Sequence, residues 1–313
     1  MPVPPQLDTT HRPRRQLLDP HRKSGALRLA VLALVVTLIA VALIVASLRA
    51  TTRGSPRAPG RSRGTSRRSV AARPVRHGDP QAVPILMYHH VAPARRGSAL
   101  LWVTRAQFAR ELAYLRGHGY HAVTMRQVYE RWTQGTALPA RPVVLSFDDG
   151  YLDQYRYAAL QLRRYGDAAV LNLIVHNLGR ALTIAMVSRM AAWGWEIDSH
   201  TITHRDMTRL SPATVAYELK GSRDLLQRYC HVPVEFFCYP GGAYDAAVEA
   251  AVRHAGYLAA TSVWYGLARP SKLFALPRIV VFGGEPLKVF AESLGGSARG
   301  ETAIDRATGN AGR

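Results

Sequence analysis

The feature that most constrains this chain is an alternation. From Val83 to Leu294, short apolar runs of strand character recur between segments with helical spacing. Parallel strands need long crossover connections, and intervening helices supply them, so the pattern predicts a mostly parallel α/β sheet, closed as a barrel or doubly wound. The runs are Val83–Tyr88, His121–Thr124, Pro142–Phe147, Ala168–Ile174, Trp195–Asp198, Val234–Tyr239 and Leu258–Ser262. Helices are expected from a capping box at Thr104-Arg-Ala-Gln107 to about Arg116, over Val128–Thr133 and over Leu152–Arg164. Further ones run from a Thr183 cap to Ala192, from Ser211-Pro212 to Tyr229, and over Ala246–His254 and Leu287–Leu294. No G-x-G-x-x-G or G-x-x-x-x-G-K-[ST] loop occurs, so nucleotide binding has no support.

The segment ahead of this region is of a different kind. Leu29 to Leu48 carries no charge over twenty residues, thirteen of them Leu, Ile or Val. As a helix it would span about 30 Å, the thickness of a bilayer's hydrocarbon, and it is expected to be an uncleaved transmembrane anchor. A cleaved signal peptide is the rival, but Val45-Ala46-Ser47 before Leu48-Arg49-Ala50 is a poor cleavage site. Basic residues flank the span on both sides, so counting them does not orient it. The organisation expected is a basic cytoplasmic leader over 1–28, the membrane helix over 29–48, and a disordered Arg/Gly/Ser/Pro linker over 49–82. A catalytic domain over 83–294 and a disordered tail over 295–313 follow.

Of the 41 Lys+Arg and 21 Asp+Glu behind the net charge of +20, residues 1–80 hold 15 and 3. Most of the charge density therefore lies outside the part expected to fold. The tract that carries it has no interleaved aromatics, so nucleic acid is not an expected partner; anionic lipid or anionic wall polymer suits it better. Two cysteines, Cys230 and Cys238, exclude a disulfide scaffold and leave one bridge or two free thiols open.

Three motifs stand at predicted strand ends, where parallel α/β folds build their sites. Ser146-Phe-Asp148-Asp149-Gly150 puts two adjacent carboxylates after an apolar strand. They can take different tasks, one binding a cation and the other holding a water. His200-Thr-Ile-Thr-His204 follows the next strand but one, and spacing i, i+4 places two imidazoles on one side of a helical turn. With Asp149 they would make three protein ligands and leave a fourth position for water, the arrangement of a catalytic zinc. Tyr239-Pro240-Gly241-Gly242 is a tight loop whose backbone N–H groups could approach a ligand or an oxyanion.

In this order, and with Tyr88-His89-His90-Val91 ahead of them, these motifs resemble the NodB-type polysaccharide deacetylases, carbohydrate esterase family four. The likeness is strongest to the poly-N-acetylglucosamine deacetylase branch with its "YHxV" opening. The resemblance covers about Val83 to Leu294 and implies a distorted (β/α) barrel. The implied reaction is hydrolysis of N-acetyl groups from an N-acetylated polysaccharide, releasing acetate. It further implies Asp148 as general base, and Asp149, His200 and His204 as ligands to a divalent metal, usually zinc. A backbone N–H near Gly241 would stabilise the oxyanion. Extracytoplasmic placement of the catalytic domain follows from the polymer substrate.

The sequence departs from the family at one point. Many members have an Arg-x-Pro-Tyr third motif whose arginine braces the catalytic aspartate, whereas Cys238 and Gly241 stand at those places here. The expectation is that Asp148 lacks its arginine. That motivates an alternative, a weak or inactive glycan-binding scaffold on the same fold. No C-terminal Leu-x-x-His supplies a general acid, which points to His89, with His90 as the other choice. Trp102, Trp193, Trp195, Tyr239, Trp264 and Tyr265 are candidate sugar-stacking residues, with Tyr239 and Trp264 favoured.

Overall fold

The computed structural model describes residues 82–94 and 99–295. The apolar segment Leu29–Leu48, the leader, the linker up to residue 81 and the tail from residue 296 lie outside the described residues. Among the described residues, no helix is long and apolar enough to cross a membrane.

Among the described residues there are ten strands: β1 Ile85–Tyr88, β2 His90–Ala92, β3 Trp102–Thr104, β4 His121–Val123, β5 Pro142–Asp149, β6 Ala169–Leu173, β7 Trp195–Ser199, β8 Phe236–Cys238, β9 Ala259–Tyr265 and β10 Leu276–Val280. Seven of them close a parallel ring in the order β1-β10-β9-β8-β7-β6-β5, with β5 pairing back onto β1 from Ile85↔Val144 to Tyr88↔Phe147. The chain therefore forms a seven-stranded parallel barrel, as a NodB-like (β/α) fold requires. β4 adds to the first half of β5, and β2 and β3 pair separately beside the barrel mouth. Strand β10 was not expected from sequence; the run after Ser262 lacked a clean apolar segment, since Pro277 and Arg278 interrupt it.

The helices are α1 Arg105–Gly117, α2 Met125–Gln134, α3 over 154–163, α4 Ile184–Ala192, α5 over 212–230, α6 Ala246–His254 and α7 Leu287–Ser293. Local chemistry sets their starts. Thr104, Thr183 and Ser211 each accept a hydrogen bond from the N–H three residues on. The full capping box, however, forms at Thr124 and Gln127; at Thr104, Gln107 turns elsewhere. α3 opens with the π-helical stretch Gln154–Ala159, and α5 contains another over Tyr217–Gly221. π-turns of this kind often lie at functional sites, and both supply a buried residue that props the catalytic loops.

Alternation along each strand separates two layers. One face carries Leu86, Tyr88, Leu145, Phe147, Leu171, Ile197 and Ile279, packed with the helices in the larger core. The other faces the barrel interior and begins apolar, with Ile85, Val144, Val170, Phe236 and Leu276. Continuing up the same face toward the strand C-termini, the residues become Ser146 and Asp148, Asn172, Asp198 and His200, Cys238 and Arg278. All of these are buried. Side chains of a period-2 pattern thus converge as a polar plug on an apolar floor.

One buried acid ties the mouth to the outer layer. Glu111 of α1 accepts Tyr88 Oη–H at 3.0 Å and Gln107 Nε2–H at 2.8 Å. Gln107 also donates to Phe282 O and accepts from Gly284 N, pinning the loop after β10. Burial pushes the Glu111 carboxyl up to about 7. Its folded value lies above its unfolded one, so its contribution to stability is complete below about pH 4.5 and lost as pH rises through about 7. Chemical denaturation of the wild type should therefore show stability falling by roughly 1 to 3 kcal/mol between those pH values, and Glu111→Gln should flatten that slope.

Candidate active site

Asp148 ends β5 on the interior face, 2% exposed. Its two oxygens meet Arg278 in a fork: Nη1 donates to Oδ1 and Nη2 to Oδ2, both at 2.8 Å. Asn172 Nδ2 donates to Oδ1 at 2.7 Å. Burial alone would raise this carboxyl, but the guanidinium's charge and two hydrogen bonds override it and hold the group well below the usual carboxylate range. Asp148 is an ionised, fixed carboxylate.

The expectation that Asp148 lacks an arginine is therefore corrected. Arg278 comes from β10, on the far side of β9 from β8, where the family's third motif lies. Cys238 stands at that motif's place, and its small thiol leaves room for the incoming guanidinium, whose Nη2 lies 3.2 Å from Sγ. The ladder between β9 and β10 shifts register between Leu276 and Arg278, and the Ser262 carbonyl accepts Arg278 Nε–H at 2.8 Å. An irregularity of this kind re-aims a side chain. Both cysteines are free and buried, so the bridge considered from sequence does not form.

Asp149, the next residue, turns the other way because its backbone is left-handed, φ 77°. Gly150 follows at φ 87°, and a Cβ there would lie 2.2 Å from Leu173 Cδ1, so the Asp-Asp-Gly turn admits no side chain at its third place. Asp149 Oδ1 lies 3.6 Å from His200 Nε2 and 3.5 Å from His204 Nε2, and the two Nε2 atoms are 3.1 Å apart. Oδ1 is buried yet has no hydrogen-bond partner, a costly state for a carboxylate oxygen unless a cation shares it. His200 Nδ1 is 2.7 Å from Cys238 O; donating its proton there leaves the Nε2 lone pair toward Asp149. One carboxylate and two imidazoles around one point fit a divalent metal.

The histidines do not share a helical turn, as their spacing had suggested. Residues 200–204 form a loop with Thr201 at φ 65° and His204 at φ 59°. Glu218, buried in the π-helical part of α5, accepts from Ile202 N, Thr203 N and Thr203 Oγ1 and clamps that loop. Three left-handed non-glycine residues at one site are strain that the clamp sustains.

A cleft of about 340 Å³ opens over this centre. His89, Asp148, Asp149, His200, His204, Gly241 and Arg278 line it, together with the apolar side chains of Leu101, Trp102, Val263, Val280 and Phe282. His89 sits in the field of Asp148 and Asp149, and burial lowers its imidazole below the ordinary value, which leaves it neutral at rest. Gln154, fully buried in α3, donates to both His89 O and Asp148 O and so locks β1 to β5 at the site. Asn177 holds Asp149 O in the same way.

The Tyr239-Pro240-Gly241-Gly242 loop divides in function. Tyr239 is buried; its ring packs on Phe237 and Tyr244 and its hydroxyl donates to Phe274 O, so it shapes the loop and offers no face to a sugar. Pro240 is likewise buried. Gly242 N–H returns to Tyr239 O, and a Cβ on Gly242 would lie 2.3 Å from Val263 Cγ2. Gly241, at φ 58°, lines the cleft together with Tyr239. Among the aromatic candidates, Trp195 is core, Trp193 stacks with Tyr155 and Arg163, and Trp102 lines the cleft. Trp264 stands exposed beside Val263. Sequence reasoning missed Arg278, Asn172 and Gln154. Asn172 had a signal, a polar residue inside an apolar strand; Arg278, in a run not read as a strand, and Gln154 had none.

A barrel with a fixed carboxylate beside a three-donor cluster defines a hydrolase class, and comparison with known proteins agrees. The family model for polysaccharide deacetylase matches residues 135–260. YxkH of Bacillus subtilis strain 168, a protein named for the same family, is 30% identical over 221 residues, covering 69% of this chain and 78% of YxkH. The chain belongs to the polysaccharide deacetylase family, whose members are deacetylating hydrolases. The poly-β-1,6-N-acetyl-D-glucosamine N-deacetylase of Escherichia coli K12 is 22% identical, and the match spans 38% of that protein's length. Among solved structures, BC0361, a polysaccharide deacetylase from Bacillus cereus, is 28% identical with a TM-score of 0.63 over 69% of each chain. The Streptococcus pyogenes deacetylase PplD superposes at 0.65 over 69% of this chain and 99% of its own, a likeness of fold at 24% identity.

Arg278→Gln should leave a buried carboxylate unpaired and destabilise the domain by about 3 to 5 kcal/mol, read by chemical denaturation. Arg278→Lys keeps the charge without the fork; thermal melting should place it between Arg278→Gln and the wild type.

Proposed function

We propose that this protein is a metal-dependent N-deacetylase of an N-acetylglucosamine-containing extracellular or cell-wall polysaccharide. The observation that carries the reading is the convergence of Asp149 Oδ1 with His200 Nε2 and His204 Nε2, beside an Asp148 held ionised by Arg278. Asp149, His200 and His204 would hold the cation, and their donor types favour zinc. When bound, it supplies a Lewis acid that polarises the acetamide carbonyl and acidifies water.

The chain's own groups do the rest. Asp148 orients the attacking water and takes its proton; Arg278 and Asn172 fix which lone pairs remain for that task. The Gly241 backbone faces the carbonyl oxygen as negative charge develops on it. His89, neutral at rest, receives the proton that Asp148 took from the water and delivers it to the leaving amine, so both groups return to their resting forms. The apolar wall excludes water from the acetyl side. The arginine on Asp148 removes the motive for an inactive scaffold.

The polymer reading draws support from the relative in Escherichia coli, whose name specifies poly-β-1,6-N-acetyl-D-glucosamine. A polymer outside the cell requires an extracytoplasmic domain, and the charge-free Leu29–Leu48 run suits a single-pass anchor. Protease added to intact cells should then cleave the catalytic domain, and protection would argue against that placement.

Acetate release from a panel of N-acetylated glycans should stop on chelation and return with zinc. Asp149→Ala and His204→Ala should lose bound metal by elemental analysis, whereas Asp148→Asn should keep it and lose rate by about 100-fold or more. Release that persists in the fully chelated protein would contradict the metal, and no release from any polymer would contradict the substrate.

A further inference from the structure

The opening motif places a second histidine after His89, and the chemistry above leaves it unused. His90 is nonetheless held from three sides. Its ring is stacked between Trp102, with centroids 3.7 Å apart and planes 9° from parallel, and Tyr151, at 3.8 Å and 22°. Its Nδ1 lies 2.7 Å from Asp153 Oδ2. With a carboxylate as partner Nδ1 is the donor, and Nε2 is the ring nitrogen left to meet a ligand.

Both faces and one nitrogen are therefore occupied. His90, Trp102 and Tyr151 all line the cleft over the metal centre, so what His90 offers that cleft is its Nε2 edge. A purely structural stack would need no nitrogen there. An imidazole with a carboxylate behind it costs more to desolvate than a phenyl ring, and Asp153 Oδ1 is itself buried without a hydrogen-bond partner. Polar groups fixed in a mainly apolar cleft wall are how a pocket sets the orientation of its ligand.

The position narrows the ligand. Tyr151 follows Asp149 by two residues and lines the same cleft, so His90, stacked on its ring, stands beside the candidate metal ligands. That is the reach of a substituent on the same sugar as the reacting acetamide. We infer that His90, oriented by Asp153 and clamped between Trp102 and Tyr151, is a specificity-determining residue whose Nε2 accepts a hydrogen bond from a hydroxyl of the N-acetylated sugar. The inference rests on the deacetylase reading and deepens it: the cleft selects an acetyl group borne on a sugar over a bare acyl donor.

Full-chain wild type, His90→Phe and Asp153→Asn are compared on an N-acetylglucosamine pentasaccharide and on phenyl acetate, an acetyl donor with no sugar. His90→Phe keeps a ring in the stack and removes both nitrogens. Its kcat/KM on the oligosaccharide should fall by about 10- to 100-fold, mainly through KM, and about tenfold further than on phenyl acetate. Asp153→Asn, which keeps the side-chain volume if the phenyl ring disturbs folding, should show the same split at smaller size. Calorimetric titration with the pentasaccharide should weaken in step. Equal losses on both substrates, or no loss, would overturn the inference, because the ring would then serve the fold or the chemistry common to both. A wild type that hydrolyses phenyl acetate but no N-acetylated glycan would sink the polymer reading and this inference together.

Discussion

The fork between Arg278 and Asp148 sits at the centre of the barrel mouth, and the rest of the site is arranged around it. A buried carboxylate without a partner takes up a proton, and a buried guanidinium without one is scarcely tolerated. Each makes the other possible. The pair also joins β10 to β5 across β1, so the seam where the ring closes carries the most polar contact inside it. Ser262 O, Ser146 Oγ and Cys238 Sγ take further guanidinium donors, which leaves Arg278 little freedom. Asp148 gains orientation from this and loses basicity, a trade that suits a base acting on water already acidified by a cation.

Around that fork, the Asp149–His200–His204 cluster depends on backbone that is itself strained. Asp149, Thr201 and His204 all adopt left-handed conformations. Glu218 supports the histidine loop through three donors, Asn177 supports Asp149, and Gln154 bridges β1 and β5. Glu218 and Gln154 both lie in π-helical stretches, where the altered winding turns a residue inward that a regular helix would place elsewhere. Preorganisation of the site is thus a property of its supporting residues as much as of its ligands.

Much of this was legible along the chain. Strand ends and helix caps follow from local rules: period-2 apolar runs, Thr and Ser caps, and an Asp-Asp-Gly turn whose glycine has no room for a Cβ. The order of the three motifs, with the histidine pair ahead of them, resembled one family, and the residues so named, Asp148, Asp149, His200, His204 and His89, all line one cleft. Tyr239 lines the cleft, yet its ring is buried, and an aromatic next to a glycine turn reads the same whether its ring faces a ligand or the core; only burial separates the two.

The sequence by itself determined most of the elements, from local spacing and caps, and their parallel arrangement, from the strand–helix alternation; the candidate donors Asp149, His200 and His204 came from the order of motifs that resembles one family. Only the tertiary structure decided where the arginine on Asp148 comes from. Closing the barrel makes β10 a neighbour of β1, and through it of β5, 130 residues away, and no local pattern encodes a contact between strands that meet only when the ring closes. The loop geometry of His200 and His204 was likewise a tertiary decision, since Glu218 outweighs the helical preference that their spacing suggested.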